Sequence, residues 1–160
     1  GFHRALADAW YTAKVLEKIN NIIIINHPSL DVYQNPKKKK DEIHISYPDH
    51  DKYVSRDFAT RERIMKDPEV TSTRCPVCHL PAKRKLRWLM NNPKVYYSIS
   101  NCEEHGLIRG KIRIRKTEDE KYFAVKTLRF TDTEEAEELR ERKEVLRLRR
   151  KLKRSVEKEI

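Results

Sequence analysis

Cys75-Pro76-Val77-Cys78 and, after twenty-three further residues, Cys102-Glu103-Glu104-His105-Gly106 are the stretches that decide the fold. In each stretch two residues separate the possible ligands, a spacing typical of knuckles in which a tight turn directs two side chains at one ion. Pro76 and Gly106 are turn-forming residues at suitable positions. We therefore predict a closed, four-coordinate site for one structural zinc ion, with the ligands Cys75, Cys78, Cys102 and His105.

Other interpretations of these residues are weaker. The chain has three cysteines, an odd number, and two of them form Cys-x-x-Cys, which favours reduced, metal-binding thiolates over a disulfide framework. A thioredoxin-like redox pair is disfavoured because no βαβ pattern surrounds it. Free thiols beside a surface histidine remain an alternative. His79 is a possible substitute for His105, but we expect it not to bind the metal.

The composition indicates an intracellular protein with an anionic partner. The chain has 160 residues, of which 38% are hydrophobic and 38% charged, and this suits small modules joined by solvated helices. Its formal net charge of +11 points towards nucleic acid or an anionic surface. It has no signal-peptide pattern and no apolar run near about 18 residues, so we expect a cytoplasmic protein without membrane contact.

Alternating residues after the first knuckle predict three strands, at residues 95–100, 107–116 and 122–130. The second strand alternates most clearly, with isoleucines on one side and basic residues on the other. A polar turn at residues 117–120 joins it to the third strand. We expect a small antiparallel sheet, similar to a zinc ribbon, in which the second knuckle connects the first two strands.

The zinc segment carries most of the positive charge of the chain. Residues 75–130 contain thirteen Lys or Arg and five Asp or Glu. Cations beside aromatic rings suit contact with phosphates and stacking on unpaired bases, so we predict binding of single-stranded DNA or RNA. The alternative is a solvated strand face with the aromatic rings in a small core, where we expect Tyr97. The candidate contacts are Lys83, Arg84, Lys85, Arg87, Trp88, Arg109, Lys111, Arg113 and Arg115.

A second polar group lies near the beginning of the chain. His3 and Asp8 converge if His3 lies on a lead-in loop and Asp8 in the first turns of a helix, which would set a base beside a metal-binding carboxylate. The runs His3-Arg4-Ala5, Asp8-Ala9 and Thr12-Ala13 resemble the third motif of the DEDDh 3′-to-5′ exonucleases, the family of the DNA polymerase III epsilon subunit and RNase T.

This resemblance implies an RNase H-like fold and hydrolysis of terminal phosphodiesters. It also implies that His3 is the general base that activates water, and that Asp8 is a ligand of catalytic Mg²⁺ or Mn²⁺. The alternative is an ordinary amphipathic helix with a surface histidine and aspartate.

The rest of the exonuclease metal site has no counterpart before His3. The family has an Asp-x-Glu on an early strand and a further Asp, both ahead of the His motif. Asp67-Pro68-Glu69 contains a proline where a central strand needs a backbone donor, and Asp132-Thr133-Glu134 opens a charged helix, so we assign neither to catalysis. We expect the C-terminal portion of an exonuclease, inactive without its missing N-terminal region. The alternative is a non-enzymatic zinc-ribbon protein that binds nucleic acid or acts as an adaptor.

These features together predict an α+β fold in four segments. Residues 1–26 would be the C-terminal helix of a truncated α/β exonuclease domain. Residues 27–73 would be a linker or extension with a short helix, and residues 74–131 the zinc-binding β module. Residues 132–160 would form a long, charged amphipathic helix.

Three local expectations complete this division. In the linker, residues 43–47 read as a short strand and residues 55–66 as a helix, while Asp49-His50-Asp51 should lie exposed on a turn. Thr131 and Glu134 form a capping-box pattern at the start of the last helix. The apolar stripe of that helix predicts a helix-mediated protein contact, and its members are Leu139, Val145, Leu146, Leu148, Leu152 and Val156.

Overall fold

A computed structural model describes residues 5–18 and 35–156, and the chain divides into two units, Gly1–Asp31 and Val32–Ile160. In the first unit, Ala5–Lys18 forms helix α1, and none of its residues is buried. Alanine and straight-chain residues favour this helix, as the sequence predicts. Within the part described, no helix is both long enough and apolar enough to cross a lipid bilayer.

The second unit is built on one antiparallel sheet, which makes the fold α+β as predicted. The described strands are β1 (Ile43–Ser46), β2 (His50–Val54), β3 (Lys83–Asn92), β4 (Val95–Cys102), β5 (Gly106–Lys116) and β6 (Tyr122–Phe130). Their spatial order is β1-β2-β6-β5-β4-β3. The described helices of this unit are α2 (Arg61–Lys66), α3 (Pro68–Thr71) and α4 (Thr133–Val156), with a 3₁₀ turn at Lys39–Asp41.

Strands β4, β5 and β6 confirm the three strands predicted from alternation. Successive side chains of a strand point to opposite faces of the sheet. Accordingly Ile108, Ile112 and Ile114 of β5 are buried, whereas Arg113 between them is exposed. The second knuckle connects β4 to β5, as expected, and Cys102 pairs with Gly106 across it.

Three further strands enlarge the sheet. The predicted linker, residues 27–73, contributes β1, as expected, and also β2, which pairs with β6. His50 and Asp51 therefore lie in a strand and not on an exposed turn. Residues 83–92, interpreted from the sequence only as a basic cluster, form β3 at the opposite edge. The partner of β2 lies far along the chain, whereas β3 forms a hairpin with β4 whose register shifts interrupt the alternation that would reveal a strand.

The helix predicted at residues 55–66 begins only at Arg61. Before it, Phe58 and Tyr122 exchange two backbone hydrogen bonds of 2.7 and 2.9 Å. These bonds hold the chain extended beside β6 and compete with helix formation. The hydroxyl of Thr60 then accepts a hydrogen bond from the first turn and caps α2.

The helices cover the two faces of the sheet unequally. On one face, α2 and α3 pack on β2, β5 and β6, in a core of Tyr53, Phe58, Ile64, Val70, Ile112, Ile114 and Ala124. On the other face, α4 packs on β3 and β4, in a core of Leu86, Ile99, Ala136 and Leu139. The part of this second face formed by β2, β6 and β5 carries alternate basic side chains.

Candidate metal centre and basic groove

Four side chains from two turns meet at one end of the sheet. Cys75 and Cys78 precede β3, Cys102 ends β4, and His105 lies in the turn before β5. Their possible ligand atoms all lie within 4.8 Å of one another. Cys78 Sγ is 3.6 Å from Cys102 Sγ, which in turn is 3.6 Å from His105 Nδ1. The structure therefore confirms that the four predicted ligands come together.

These separations fit a tetrahedral zinc site. Zinc bonds of about 2.3 Å to sulfur and about 2.0 Å to nitrogen place neighbouring ligand atoms roughly 3.5–3.8 Å apart in a tetrahedron. The cluster can therefore hold a metal ion such as zinc. Four protein ligands leave no position for water or substrate, and such a closed site is structural.

The backbone shapes the first knuckle around its sulfur atoms. His79 N–H donates to Cys75 O and Cys75 N–H donates to Leu80 O, both at 2.9 Å. The turn needs a left-handed residue directly after Cys78, and His79 provides it with φ of 57°. Gly106 plays the corresponding part after His105, with φ of 85°.

The cluster also shifts the acidity of its thiols. A hydrogen bond to His105 and backbone N–H groups of the second knuckle lower the pKa of Cys102 to about 6. The Leu80 N–H lowers the pKa of Cys78, but burial and the thiols of Cys102 and Cys75 outweigh it and raise that pKa. Close thiols resist a second negative charge, and a divalent cation removes this repulsion.

The neighbouring histidines do not belong to the four-residue cluster found among the described residues. His79 is exposed and lies outside it, as the sequence analysis expects. His50 pairs instead with Asp49, with 2.7 Å between Nδ1 and Oδ1. The hydrogen bond from His50 lowers the pKa of Asp49.

A groove of about 340 Å³ runs along the second face of the sheet, beside α4, and is here named the basic groove. Strand register builds it, since Arg109 lies opposite Arg129, and Thr127 lies between Lys111 and Lys52. Among the described residues no Asp or Glu lines it. Its lining residues are Lys52, Arg109, Lys111, Arg113, Arg115, Val125, Thr127 and Arg129.

Helix α4 neutralises one end of the basic groove. The Glu135 carboxylate accepts a hydrogen bond of 2.6 Å from Arg129 and also pairs with Arg109. Arg109 lies 4.6 Å and Lys111 5.7 Å from the centre of the Tyr97 ring, so cations cover this partly buried ring. The cations away from Glu135 are therefore those best placed for an external anion.

The predicted contacts on β3 form a separate group. Lys83, Arg84, Lys85 and Arg87 are exposed along this edge strand. The last three line a cavity of about 490 Å³ with Lys143 of α4, distinct from the basic groove. The nine predicted contacts therefore do not form one continuous surface.

Trp88 is packed into the protein, although the sequence groups it with residues that stack on bases. Its indole N–H donates to Thr71 O at 2.9 Å. Its ring packs against the core cluster beneath α2 and α3. Trp88 thus anchors β3 to the sheet, and its ring is not presented for stacking.

The structure describes only one of the two proposed exonuclease residues. Asp8 is exposed on α1, where its carbonyl oxygen accepts a hydrogen bond of 2.8 Å from Thr12. His3 lies outside the described residues, so the convergence of His3 with Asp8 stays a prediction.

The two Asp-x-Glu strings have structural roles. Asp67 accepts hydrogen bonds from the backbone of Glu69 and Val70 and caps α3. It also accepts a 2.8 Å hydrogen bond from Arg56. Burial would raise the pKa of Asp67, but these hydrogen bonds lower it below its usual value. Asp132 accepts a 2.8 Å hydrogen bond from the Glu135 N–H at the start of α4.

Sequence reasoning missed four residues of the basic groove, the apolar Val125 and the polar Lys52, Thr127 and Arg129. Thr127 and Arg129 are two residues apart in the predicted third strand, so they lie on the same face of the sheet. This spacing was the signal that could have identified them. Lys52 gave no such signal because its strand was interpreted as a turn.

No protein-family model, curated protein or solved structure matches this chain, so its function must be inferred from its own residues.

Proposed function

We propose that the second unit is a zinc-stabilised module that binds single-stranded DNA or RNA along the basic groove. The observation that carries this proposal is the alternation of cations on β5, reinforced by Lys52 on β2. Alternate residues of an antiparallel strand lie about 6.8 Å apart, so β5 offers a regular row of cations. A phosphate backbone is the common biological partner of such a row.

A single strand suits the groove better than a duplex. Glu135 of α4 pairs with Arg109 and Arg129 and so limits the row of available cations at one end of the groove. Proteins that bind single strands without sequence preference follow the phosphate backbone with a positively charged groove of this kind. The exposed cations of β3 can extend the contact, but they are not needed for the groove itself.

The proposal is tested by removing two groove cations, Lys111 and Arg113. Binding of fluorescein-labelled (dT)12 and (rU)12 is measured by anisotropy at several salt concentrations. If both residues contact phosphates, K111A/R113A should bind at least tenfold more weakly. The slope of log Kobs against log salt should fall by about 1.4, at about 0.7 for each contact.

The matched control is R63A/K66A, which removes the same charge from exposed positions on α2. This variant should retain both the affinity and the salt slope of the parent chain. Equal losses in the two double variants would show that only net charge matters. Salt-insensitive or absent binding by the parent chain would contradict the proposal.

We further propose that the chain contributes to a metal-dependent 3′-to-5′ exonuclease. Support comes from the resemblance of residues 3–16 to the third DEDDh motif. In this role His3 removes a proton from the attacking water, and Asp8 helps to hold Mg²⁺ or Mn²⁺ at the terminal phosphodiester. The basic module would then hold the strand whose end is hydrolysed.

This second part is tested in the polypeptide that the gene encodes. H3A should lower the rate of terminal nucleotide release by about 100-fold or more, since a positioned base contributes about that factor. K14Q, on the exposed surface of α1, should keep the parent rate. Strand binding without any metal-dependent hydrolysis would instead favour a non-enzymatic binding or adaptor protein.

A further inference from the structure

A cavity of about 500 Å³ lies at the end of the sheet opposite the candidate metal centre, and is here named the edge cavity. Strand β4 begins there at Val95, opposite Arg113, so residues 114–116 of β5 extend beyond it with no described strand beside them on that side. The end of β5, the beginnings of β4 and β6, and Arg61 of α2 line this cavity. Its volume falls within the range of about 300–1,000 Å³ that is usual for ligand pockets.

Basic residues dominate the edge cavity, and no Asp or Glu among the described residues lines it. Lys116 is partly neutralised, because its Nζ lies 2.5 Å from a carboxylate oxygen of Glu120. Like charges that share one cavity raise one another's electrostatic energy, and an anion relieves this repulsion. The cavity is therefore suited to an anion. Its cations are Arg61, Lys94, Arg113, Arg115 and Lys116.

Residues from both faces of the sheet line the edge cavity, because it lies beyond the beginning of β4. Arg113 and Arg115 are two residues apart on the face that carries the basic groove. Lys116 alternates with them and lies on the face that α2 covers, where Arg61 begins that helix. The cavity can therefore present cations to an anion from two sides.

The backbone of β5 adds a donor at the same edge. The Thr117 N–H donates to Lys121 O at 2.8 Å, which makes Lys116 and Tyr122 a non-hydrogen-bonded pair of the β5–β6 ladder. The N–H of Lys116 consequently points away from β6, towards the side on which β4 is absent. Backbone N–H groups are common donors to bound phosphates.

The Tyr122 ring helps to position the guanidinium of Arg61. The central carbon of this guanidinium lies 5.1 Å from the ring centre, within the range of a cation–π contact. Tyr122 is itself held by the two backbone hydrogen bonds that it exchanges with Phe58. A guanidinium offers its donors as a planar fork that matches two oxygens of a phosphate.

The lining favours a phosphate ester over other anions. A carboxylate has one negative charge and two oxygens, whereas a phosphate monoester has nearly two charges at neutral pH and three acceptor oxygens. The several cations of the edge cavity match the second group better. The apolar residues Val95, Ile114 and Phe123 also line it, and they suit the organic part of an ester better than free inorganic phosphate.

We propose that the edge cavity binds a phosphate monoester. Two sources carry this group, the terminal phosphate of a single strand and a free nucleotide. Arg113 and Arg115 line both the edge cavity and the basic groove, so the end of a strand held in the groove is the nearer source. For a strand end the inference rests on the proposed function of the groove, and for a free nucleotide it stands alone.

Two ligand comparisons in the parent chain test the edge cavity without any variant. In calorimetry at fixed ionic strength, thymidine 5′-monophosphate should bind at least about tenfold more tightly than thymidine, which lacks the phosphate. In anisotropy, (dT)12 with a fluorescein at its 3′ end is compared with and without a 5′-phosphate. If the strand end enters the cavity, the phosphorylated strand should bind about tenfold more tightly.

A double variant separates the edge cavity from the basic groove. R61A/K94A removes two cations that line the cavity but not the groove. It should reduce each phosphate preference to about twofold or less, the level of a screened surface charge, and retain the binding of 5′-hydroxyl (dT)12. R63A/K66A removes the same charge from exposed positions on α2 and should keep each preference. Far-ultraviolet circular dichroism checks that both variants are folded.

The outcomes distinguish this inference from the proposed function. A preference for the nucleotide alone would identify free nucleotides as the ligand, and a preference for the phosphorylated strand would identify strand ends, so either result supports the inference. Absence of both preferences would overturn it, even if 5′-hydroxyl (dT)12 binds and the groove stands. Equal loss of preference in the two double variants would also overturn it. Absence of (dT)12 binding would contradict the proposed function, whereas a preference for the nucleotide would still support the edge cavity.

Discussion

Gly110 shows how one residue position decides where β3 can lie. A Cβ atom at this position would be 2.4 Å from Ser98 Oγ and 2.6 Å from Cη2 of Trp88. The indole ring therefore lies directly on the backbone of β5. Glycine is needed here for the close approach of the ring, and not for a left-handed turn.

We predict that G110A destabilises the second unit by about 1–3 kcal/mol, the usual cost of overpacking a filled core. Urea unfolding followed by tryptophan fluorescence measures the change. S98A/G110A should recover part of the loss, because it removes the nearest atom, the Ser98 hydroxyl. Unfolding of G110A at the parent midpoint would show that Trp88 is free to move away.

At the scale of elements, β5 could be predicted because its signal is local. A strict alternation of isoleucine and cations fixes both the strand and the direction of each side chain. The four residues of the candidate metal centre were equally predictable, since each knuckle places two of them within four residues. That the two knuckles lie close enough to form one cluster depends on the sheet and does not follow from local spacing.

Strands β2 and β3 could not be predicted in the same way. β2 pairs with β6, and Tyr53 lies opposite Lys126, far along the chain. The pairing of β3 with β4 contains register shifts near Leu86 and Leu89, which break the period of two. Because of these irregularities, alternation does not show which face Trp88 occupies. The sequence analysis grouped its ring with residues that stack on bases, whereas the ring packs against the core.

The beginning of α4 illustrates the limit of a capping pattern. The sequence predicts a box of Thr131 and Glu134, but Asp132 is the residue that caps the first turn, through the N–H of Glu135. The hydroxyl of Thr131 instead contacts the Glu135 side chain. Overlapping capping signals in Thr131-Asp132-Thr133 cannot be separated without the packing of α4 on the sheet.

The contact of α4 with another protein stays a prediction, and it concerns the exposed half of the helix. Leu139 is buried against the sheet, whereas Val145, Leu148 and Leu152 are exposed. The stripe predicted from the sequence therefore has two parts with different environments. The first part fixes α4 to its own unit and thereby brings Glu135 to the basic groove.

At the scale of the whole molecule, the candidate metal centre lies apart from the main core. Cys75 and Cys102 pack with Ile108 and Leu128 at one end of the sheet. The core beneath α2 and α3 contains no metal ligand. Small zinc modules can depend on the metal for about 10 kcal/mol of folding free energy. In this unit the larger sheet and its described helices supply a core of their own, so we expect a smaller dependence.

We therefore predict that loss of the metal unfolds one end of the sheet and not the whole unit. H105N should lower the bound zinc from about one ion per chain, as measured by inductively coupled plasma mass spectrometry. C102S should do the same, because either change leaves only three ligands. In hydrogen exchange, residues 75–82 and 100–108 should lose protection, while the strand centres near Ile112 and Ala124 retain it.

H79N is the matched control for this prediction, because His79 lies beside the first knuckle but outside the ligand cluster. Asparagine tolerates the left-handed backbone that His79 adopts, so the turn should persist. H79N should therefore bind as much zinc as the parent chain. Equal zinc loss in H79N and H105N would contradict the assigned ligands. In hydrogen exchange of H105N or C102S, loss of protection throughout the sheet would show that its larger core cannot persist without the metal.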